Sequence, residues 1–158
     1  MATEDVRQYF EEKGYDFEIY ELDESTATVE DAAKAHGVPP SMIAKSLAFA
    51  LKDRNIMIIA KGDARVDNKK YKSTFGQKAR MLKPDEVLEI TGHPVGGVCP
   101  FALKSPMEIY LDRSLQDFEV VYPAAGAPNS SIKITPQRLK EITKATWVDV
   151  CQDNGQTP

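Results

Sequence analysis

The chain has 158 residues, of which 42% are hydrophobic and 28% charged, with a formal net charge of −4. This length favours one domain with its own core and leaves little room for a second. The acidic balance argues against a protein that coats nucleic acid, and no apolar run approaches the roughly 20 residues of a membrane helix.

The pattern of residues 1–62 predicts two helices, three strands and a turn or short helix. Apolar spacing indicates, in chain order, a helix at 4–13, a strand at 17–22, a helix opening at Thr28, a turn or short helix at Pro39-Pro40, and strands at 45–51 and 55–62. Thr28 and Asp31 resemble a capping box, while Gly14 and Gly37 are natural stops for the two helices. The last two strands flank "KDR" and predict a hairpin in a buried sheet.

Residues 63–158 predict a mixture of helices and strands. In chain order they are a helix capped by Asp67, a short strand at 78–82, a helix from Pro84 to Gly92, a strand at 107–112, a helical turn at 113–118, strands at 118–126 and 131–135, a helix at 136–143 and a strand at 147–150. Because regular βαβ alternation is missing, we expect an α+β fold with a mixed, barrel-like β-sheet. We expect a single domain over residues 1–150 and a C-terminal tail at 151–158.

The cysteine count and the first ten residues indicate the cellular compartment that the sequence predicts. Cys99 and Cys151 are too few for a disulfide framework. The opening residues "MATEDVRQYF" are acidic and polar, unlike a secretion signal. We therefore expect free thiols in a reducing cytoplasm.

Positive charge is concentrated between residues 61 and 83. Eight basic residues face only two acidic ones there; the basic residues are Lys61, Arg65, Lys69, Lys70, Lys72, Lys78, Arg80 and Lys83. One interpretation is a solvated helix face, and the other is a patch that meets a phosphate backbone.

The stretch "TGHPVGGVCPFAL" (91–103) combines three glycines and two prolines around a cysteine. Adjacent glycines leave backbone N–H groups unshielded and tolerate positive φ, so such a loop can aim donors at a substrate oxygen. Cys99, six residues from His93, is either a nucleophile or a small buried apolar residue, and we favour the second interpretation. The sequence has no P-loop, no GxGxxG and no clustered metal ligands, so we expect neither a cofactor nor a metal.

Lys45 lies within the apolar run "MIAKSLAFAL" (42–51). A lysine among Ile43, Ala44, Leu47 and Phe49 is partly desolvated if the run is a strand. It is either an edge lysine that reaches water or a cation at a pocket wall that holds an oxygen atom.

Several of these segments together resemble the YbaK family, the free-standing relatives of the editing domain in bacterial prolyl-tRNA synthetases. The resemblance covers residues 3–150 and rests on four segments: "IYELD" (19–23), "MIAKSL" (42–47), "GHPVGGVCPF" (92–101) and "YPAAGAPNSSIKITPQRL" (122–139). It implies a mixed α+β sheet flanked by helices. It also implies a deacylase that hydrolyses the ester of mischarged tRNA, because a synthetase pocket separates small side chains by only about 1–3 kcal/mol.

The resemblance also implies a set of site residues. Lys45 matches the family's essential lysine, and the backbone of Gly96 and Gly97 would lie against the aminoacyl carbonyl. The expected substrate-binding residues are Tyr20, Pro100, Ala124, Gly126, Asn129 and Ser130. The expected tRNA-binding residues are Lys69, Lys70, Lys72, Lys78 and Arg80. Catalysis would rely on positioning and on groups of the substrate.

The downstream loop departs from the pattern of the cysteine-clearing members. Ala124, Ala125 and Gly126 stand where those proteins have Ser-Gly-Gly, and Ser131 stands where they have Asp. Cys, Ala and another small amino acid therefore all remain candidate substrates on tRNA for proline. The leading hypothesis is a trans-editing deacylase in the cytoplasm, with tRNA as its partner, prolyl-tRNA synthetase as a candidate second partner, and no membrane. The alternative is a non-catalytic module that binds tRNA, an amino acid or a synthetase.

Overall fold

The computed structural model describes residues 2–152; Met1 and residues 153–158 of the expected tail lie outside the described residues. The helices are α1 (Ala2–Lys13), α2 (Val29–His36), α3 (Asn68–Phe75), α4 (Pro84–Thr91) and α5 (Pro136–Thr143). The strands are β1 (Tyr20–Glu21), β2 (Ile43–Ala50), β3 (Asn55–Lys61), β4 (Glu108–Asp112), β5 (Tyr122–Pro123), β6 (Ser130–Ser131) and β7 (Thr146–Val148). Short 3-10 helices occupy Pro40–Met42 and Arg113–Asp117.

Five strands form a mixed sheet in the order β5-β2-β3-β4-β7. The β2–β3 hairpin is antiparallel and the other three pairs are parallel. β1 and β6 form a separate antiparallel pair, and isolated bridges join Val121 to Ile134 and Ala124 to Ser131. These bridges connect β5, at the edge of the large sheet, to the small one. The predicted mixed α+β fold is confirmed.

Helices cover both faces of the sheet, so alternate residues of β3 are buried on opposite sides. Met57 and Ile59 lie in a core cluster with Val6 and Phe10 of α1. Ile56 and Ile58 lie in a second cluster, whose other members include Tyr71 of α3. All four β3 residues have 0% exposure, as expected for a central strand covered on both faces.

Local capping determines where the helices begin and end. The Thr28 side chain accepts a hydrogen bond from the backbone N–H of Asp31, and Asp67 accepts one from Lys70. Both predicted N-caps are therefore confirmed. Gly37 and Gly92 end α2 and α4 in the left-handed conformation that glycine adopts readily.

Several predicted strands were too long. Of the predicted strands at 17–22 and 118–126, only the dipeptides β1 and β5 are strands, and of the one at 131–135 only Ser131 is, as the second residue of β6. The predicted strand at 78–82 is reduced to a bridge between Met81 and Phe49. These segments pair with a neighbouring strand over only one or two consecutive residues each. The segment at 78–82 cannot extend further because α4 begins at Pro84. Cys151, which the sequence places in the tail, is buried and forms a bridge with Val66.

Across residues 2–152, no helix has the length and apolar composition that crossing a bilayer requires.

Candidate functional site

A cavity of about 330 Å³ opens beside β2. Its walls come from the starts of α2 and α4, the glycine loop and the segment after β5. The lining includes Thr26, Ala27, Thr28, Val29, Lys45, Ser46, Ala48, Met81, Leu82, Val87, Val95, Gly96, Val98, Tyr122, Ala124 and Ser131. Of the predicted site residues, Lys45, Gly96 and Ala124 therefore meet at one cavity.

Lys45 lies in β2, opposite Ala60 of β3. Its Nζ atom donates a hydrogen bond to the carbonyl oxygen of Ala64, in the loop after β3. Burial lowers the pKa of Lys45 below the ordinary lysine value, because desolvation disfavours the ammonium form. The side chain is thus a partly desolvated cation at the cavity wall.

The two glycines of the loop have different roles. Gly96 has φ of 93°, and an added Cβ atom would lie 2.9 Å from Cβ of Ala27. Gly97 is buried against the downstream loop, where an added Cβ would lie 2.5 Å from the backbone N of Ala127. The N–H of Gly97 donates to the carbonyl of Pro94 at 2.9 Å. Within residues 2–152 the N–H of Gly96 has no such partner, and Gly96 lines the cavity.

The downstream loop holds its shape through its own polar groups. Gly126 donates its N–H to the carbonyl of Gly97 at 3.0 Å. Asn129 donates its side-chain amide to the carbonyl of Leu22 at 3.1 Å. Ser130 is fully buried, and its Oγ accepts from the N–H of Ala127 at 3.0 Å. These three predicted residues thus make contacts within the protein that fix the loop carrying Ala124.

An aromatic cluster beside the cavity was not predicted from the sequence. Nε2 of His36 lies 2.6 Å from Oγ of Ser131, which lines the cavity. The His36 ring is 4.6 Å from the ring of Tyr122 and 6.0 Å from that of Tyr20. Burial lowers the pKa of His36, which favours the neutral ring. Tyr20, a predicted pocket residue, also pairs with Ser131 across β1 and β6.

Cys99 and His93 do meet, but in the core. Both side chains are buried, and Pro100, another predicted site residue, is buried next to Cys99. Burial raises the pKa of the Cys99 thiol to about 12, so the thiolate is disfavoured. This favours the packing interpretation of Cys99.

The basic segment divides into paired and exposed residues. Lys61 is buried and forms an ion pair with Asp117 at 3.3 Å. Lys70 donates to Asp149 at 3.0 Å and to the carbonyl of Cys151 at 2.9 Å. The exposed basic residues are Arg65, Lys69, Lys72, Lys78, Arg80 and Lys83. The last two flank Met81 and Leu82, so positive charge lies next to the cavity lining.

Sequence reasoning missed much of the apolar wall. Leu82, Val87 and Ala48 belong to one small core cluster that borders the cavity, and Met81 and Val95 are more than half exposed at it. Their signal in the sequence is that of ordinary core residues. Within residues 2–152, no three or more His, Cys, Asp or Glu side chains are grouped so that they could hold a metal ion.

The chain is similar to known proteins along most of its length. Residues 23–142 match the model of the aminoacyl-tRNA editing domain. The chain is 50% identical to the uncharacterized protein YwhH of Bacillus subtilis (strain 168), covering 97% of this chain and 99% of that protein. It is 29% identical to a proline–tRNA ligase of Bacillus pumilus (strain SAFR-032) over 83% of this chain but only 24% of the ligase. A solved structure provisionally described as a trans-editing enzyme for prolyl tRNA synthetase superposes with a TM-score of 0.89 at 31% identity, covering 96% of this chain and 98% of that one.

Proposed function

The chain belongs to the aminoacyl-tRNA editing domain family, and on this premise we propose that it is a trans-editing deacylase of the YbaK type. The proposed substrate is tRNA for proline that carries alanine, cysteine or another small amino acid. The reaction is hydrolysis of the ester between the amino acid and the terminal ribose, in the cytoplasm.

The observation that carries this proposal is the convergence of Lys45 and Gly96 on one cavity. Lys45 is a cation at the wall of the cavity, and Gly96 offers a backbone N–H without a partner in residues 2–152. An ester carbonyl becomes an oxyanion when water adds to it, and fixed donors in a partly dry site stabilise that charge.

The proposed chemistry uses no protein nucleophile. Water adds to the ester carbonyl carbon, the N–H of Gly96 donates to the oxyanion, and Lys45 holds the terminal nucleotide through an oxygen atom. The ester C–O bond then breaks and the ribose oxygen takes a proton, releasing the amino acid and the tRNA. A neighbouring ribose hydroxyl orients the water, which suits a site where Cys99 is buried and its thiolate disfavoured.

The wall next to β2 favours a small amino acid. Ala48, Leu82, Val87 and Val98 line this part of the cavity and present only methyl and methylene groups. Such an apolar wall suits the side chain of alanine or another small apolar amino acid. Because such pockets discriminate by only about 1–3 kcal/mol per methylene, the preference among small residues will be graded.

The rim of the cavity suits the end of a tRNA. Met81 and Val95, 56% and 59% exposed, give an apolar surface for the terminal base. The exposed Arg80 and Lys83 beside Met81 would contact the phosphates of the acceptor end. Prolyl-tRNA synthetase is the proposed source of the mischarged tRNA.

A discharge assay tests the proposal. We expect purified protein to release the amino acid from at least one of Ala-, Cys- and Ser-tRNA for proline faster than buffer does. Lys45→Ala should remove most of the excess rate, whereas Lys52→Ala, at the exposed far end of the β2–β3 hairpin, should retain it. If the whole panel stays charged while tRNA still binds tightly, the protein is a binding module and the deacylase proposal fails.

A further inference from the structure

The outer edge of β2 is left without a neighbour at one residue, Ser46. β5 pairs with β2 only as far as Ala44. Residues 80–82 then bond to this edge at Ala48 and Ala50, with N···O distances of 3.0 and 2.8 Å. Between these points no element within residues 2–152 pairs with the outer side of β2.

The backbone polar groups of Ser46 point toward this gap. In an antiparallel pair, successive residues direct their N–H and C=O groups to opposite sides of the strand. Ala48 and Ala50 direct theirs away from β3, since they bond residues 80–82 instead. Ser46 is two residues before Ala48 and has the same orientation, and it lines the cavity.

The side chain of Ser46 also lacks a partner. Its Oγ atom is closed to solvent and makes no hydrogen bond within the described residues. A buried hydroxyl without a partner is unfavourable and calls for an explanation. Ser46 therefore brings one backbone donor and one backbone acceptor to the cavity, while its hydroxyl lies closed to solvent; all three are unused in residues 2–152.

We propose that Ser46 binds the aminoacyl group of the substrate as if that group were one residue of an added strand. The α-amino group donates to the Ser46 carbonyl, and the ester carbonyl accepts from the Ser46 N–H. This assignment rests on the proposed deacylase function and names its amino-acid subsite.

The chemistry of an amino acid ester matches this strand edge. Its amine and its carbonyl flank one Cα atom, as the N–H and C=O of a strand residue do, and peptides add to sheet edges through such pairs. A carbonyl oxygen has two lone pairs, so the N–H of Gly96 can bind the same oxygen. The side chains of Ser46 and Ala48 project to one face of β2, because they are two residues apart, and this places the hydroxyl beside the apolar wall.

The first experiment uses a stable analogue, adenosine with alanine joined through a 3′-amide. We expect the backbone ¹⁵N–¹H signal of Ser46 to shift on titration and its hydrogen exchange to slow. A propionyl-amide analogue, which lacks the α-amino group, should bind at least tenfold more weakly. Binding that shifts other cavity signals but leaves Ser46 unmoved would overturn the assignment, as would no binding at millimolar analogue.

A discharge assay run in parallel separates the two proposals. Rapid discharge of Ala-tRNA with an unmoved Ser46 signal refutes only the subsite. A shifted Ser46 signal with no discharge of any tRNA supports the subsite and refutes the deacylase.

A second experiment tests the hydroxyl by comparing two serines. Ser46→Ala removes an unpaired buried group and keeps the backbone N–H and C=O, so we expect a higher Tm with KM and kcat within about twofold of wild type. Ser114→Ala is the matched control, because Ser114 Oγ accepts from the N–H of Lys61 at 3.2 Å. That variant should have a lower Tm and an unchanged KM. If Ser46→Ala raises KM more than tenfold while Ser114→Ala does not, the side chain and not the strand edge holds the substrate, and the assignment is overturned.

Discussion

The Sγ atom of Cys99 lies 3.5 Å from Nε2 of His93, a distance at which a thiol and an imidazole can exchange a proton. The same nitrogen is 2.6 Å from the carbonyl oxygen of Phe101. A carbonyl only accepts hydrogen bonds, so Nε2 must carry the hydrogen and donate it there. His93 is therefore in the wrong tautomer to take a proton from Cys99, although the two residues meet.

We expect Cys99→Ala to keep most of the discharge activity. The buried side chain contributes packing, so its loss should lower the free energy of unfolding by about 1 kcal/mol. Discharge rates and urea unfolding of the same preparation measure the two effects. A large loss of activity in a protein that unfolds at the same urea concentration would restore the nucleophile interpretation.

Alanine at the two loop glycines should separate catalysis from folding. Gly96→Ala forces an L side chain to φ of 93°, and Gly97→Ala places Cβ 2.5 Å from a backbone nitrogen. We expect each change to lower the free energy of unfolding by about 1–3 kcal/mol, with the greater loss of discharge rate per folded molecule in Gly96→Ala.

The matched control for these variants is Gly76→Ala. Gly76 has φ of 74° and no atom within 4 Å of an added Cβ, so only backbone strain is introduced. Its unfolding free energy should fall while its discharge rate is retained. Equal loss of activity in all three variants would show that the loop acts through stability alone.

The parts of the fold that the sequence predicted correctly are specified locally. The side chains of Thr28 and Asp67 each accept from the backbone N–H three residues later, and the β2–β3 hairpin needs only a short turn. The short strands β1, β5 and β6 were overestimated because distant segments decide how many of their residues find a partner.

The candidate site likewise combines residues that the sequence reveals with contacts that depend on distant segments. Lys45 and Gly96 were recognisable from the family resemblance and the glycine pair, and both line the cavity. The contact of His36 with Ser131 joins positions 95 residues apart, so no local pattern reveals it. The open edge at Ser46 depends on where β5 stops, which is a property of the folded sheet.

Exposed and paired lysines of α3 should respond differently to neutralisation. Lys69 and Lys72 are exposed, so the double change to Gln should weaken tRNA binding and reduce the salt slope of log Kobs by about 0.7–0.9 for each lost phosphate contact. Lys70→Gln loses its bonds to Asp149 and to the Cys151 carbonyl, so it should mainly lower Tm. A binding titration across a salt series measures the first effect. If the double variant has the same salt slope of log Kobs as the wild type, the exposed lysines of α3 form a solvated helix face and do not contact tRNA.

Binding of the alanyl-amide analogue should weaken at alkaline pH. Burial lowers the pKa of Lys45 below the ordinary 10.5, so the ammonium form is lost at a lower pH than in an exposed lysine. If that cation holds the nucleotide, affinity falls as pH rises through this lowered pKa. Lys45→Arg keeps its charge and should bind without this loss. The same alkaline decline in both proteins would assign it to another group.

Replacing His36 by Gln should change how stability depends on pH. Burial lowers the pKa of His36 in the folded protein below the ordinary 6.5. As pH falls below 6.5, the unfolded chain takes up a proton that the folded chain does not, so the free energy of unfolding decreases until the folded pKa is passed. His36→Gln removes this contribution, and urea unfolding from pH 7.5 to 5 should show a shallower decline. Part of the decline should persist, since burial also lowers the pKa of His93. An identical decline in wild type and variant would mean that His36 takes up its proton equally well in the folded and unfolded chain.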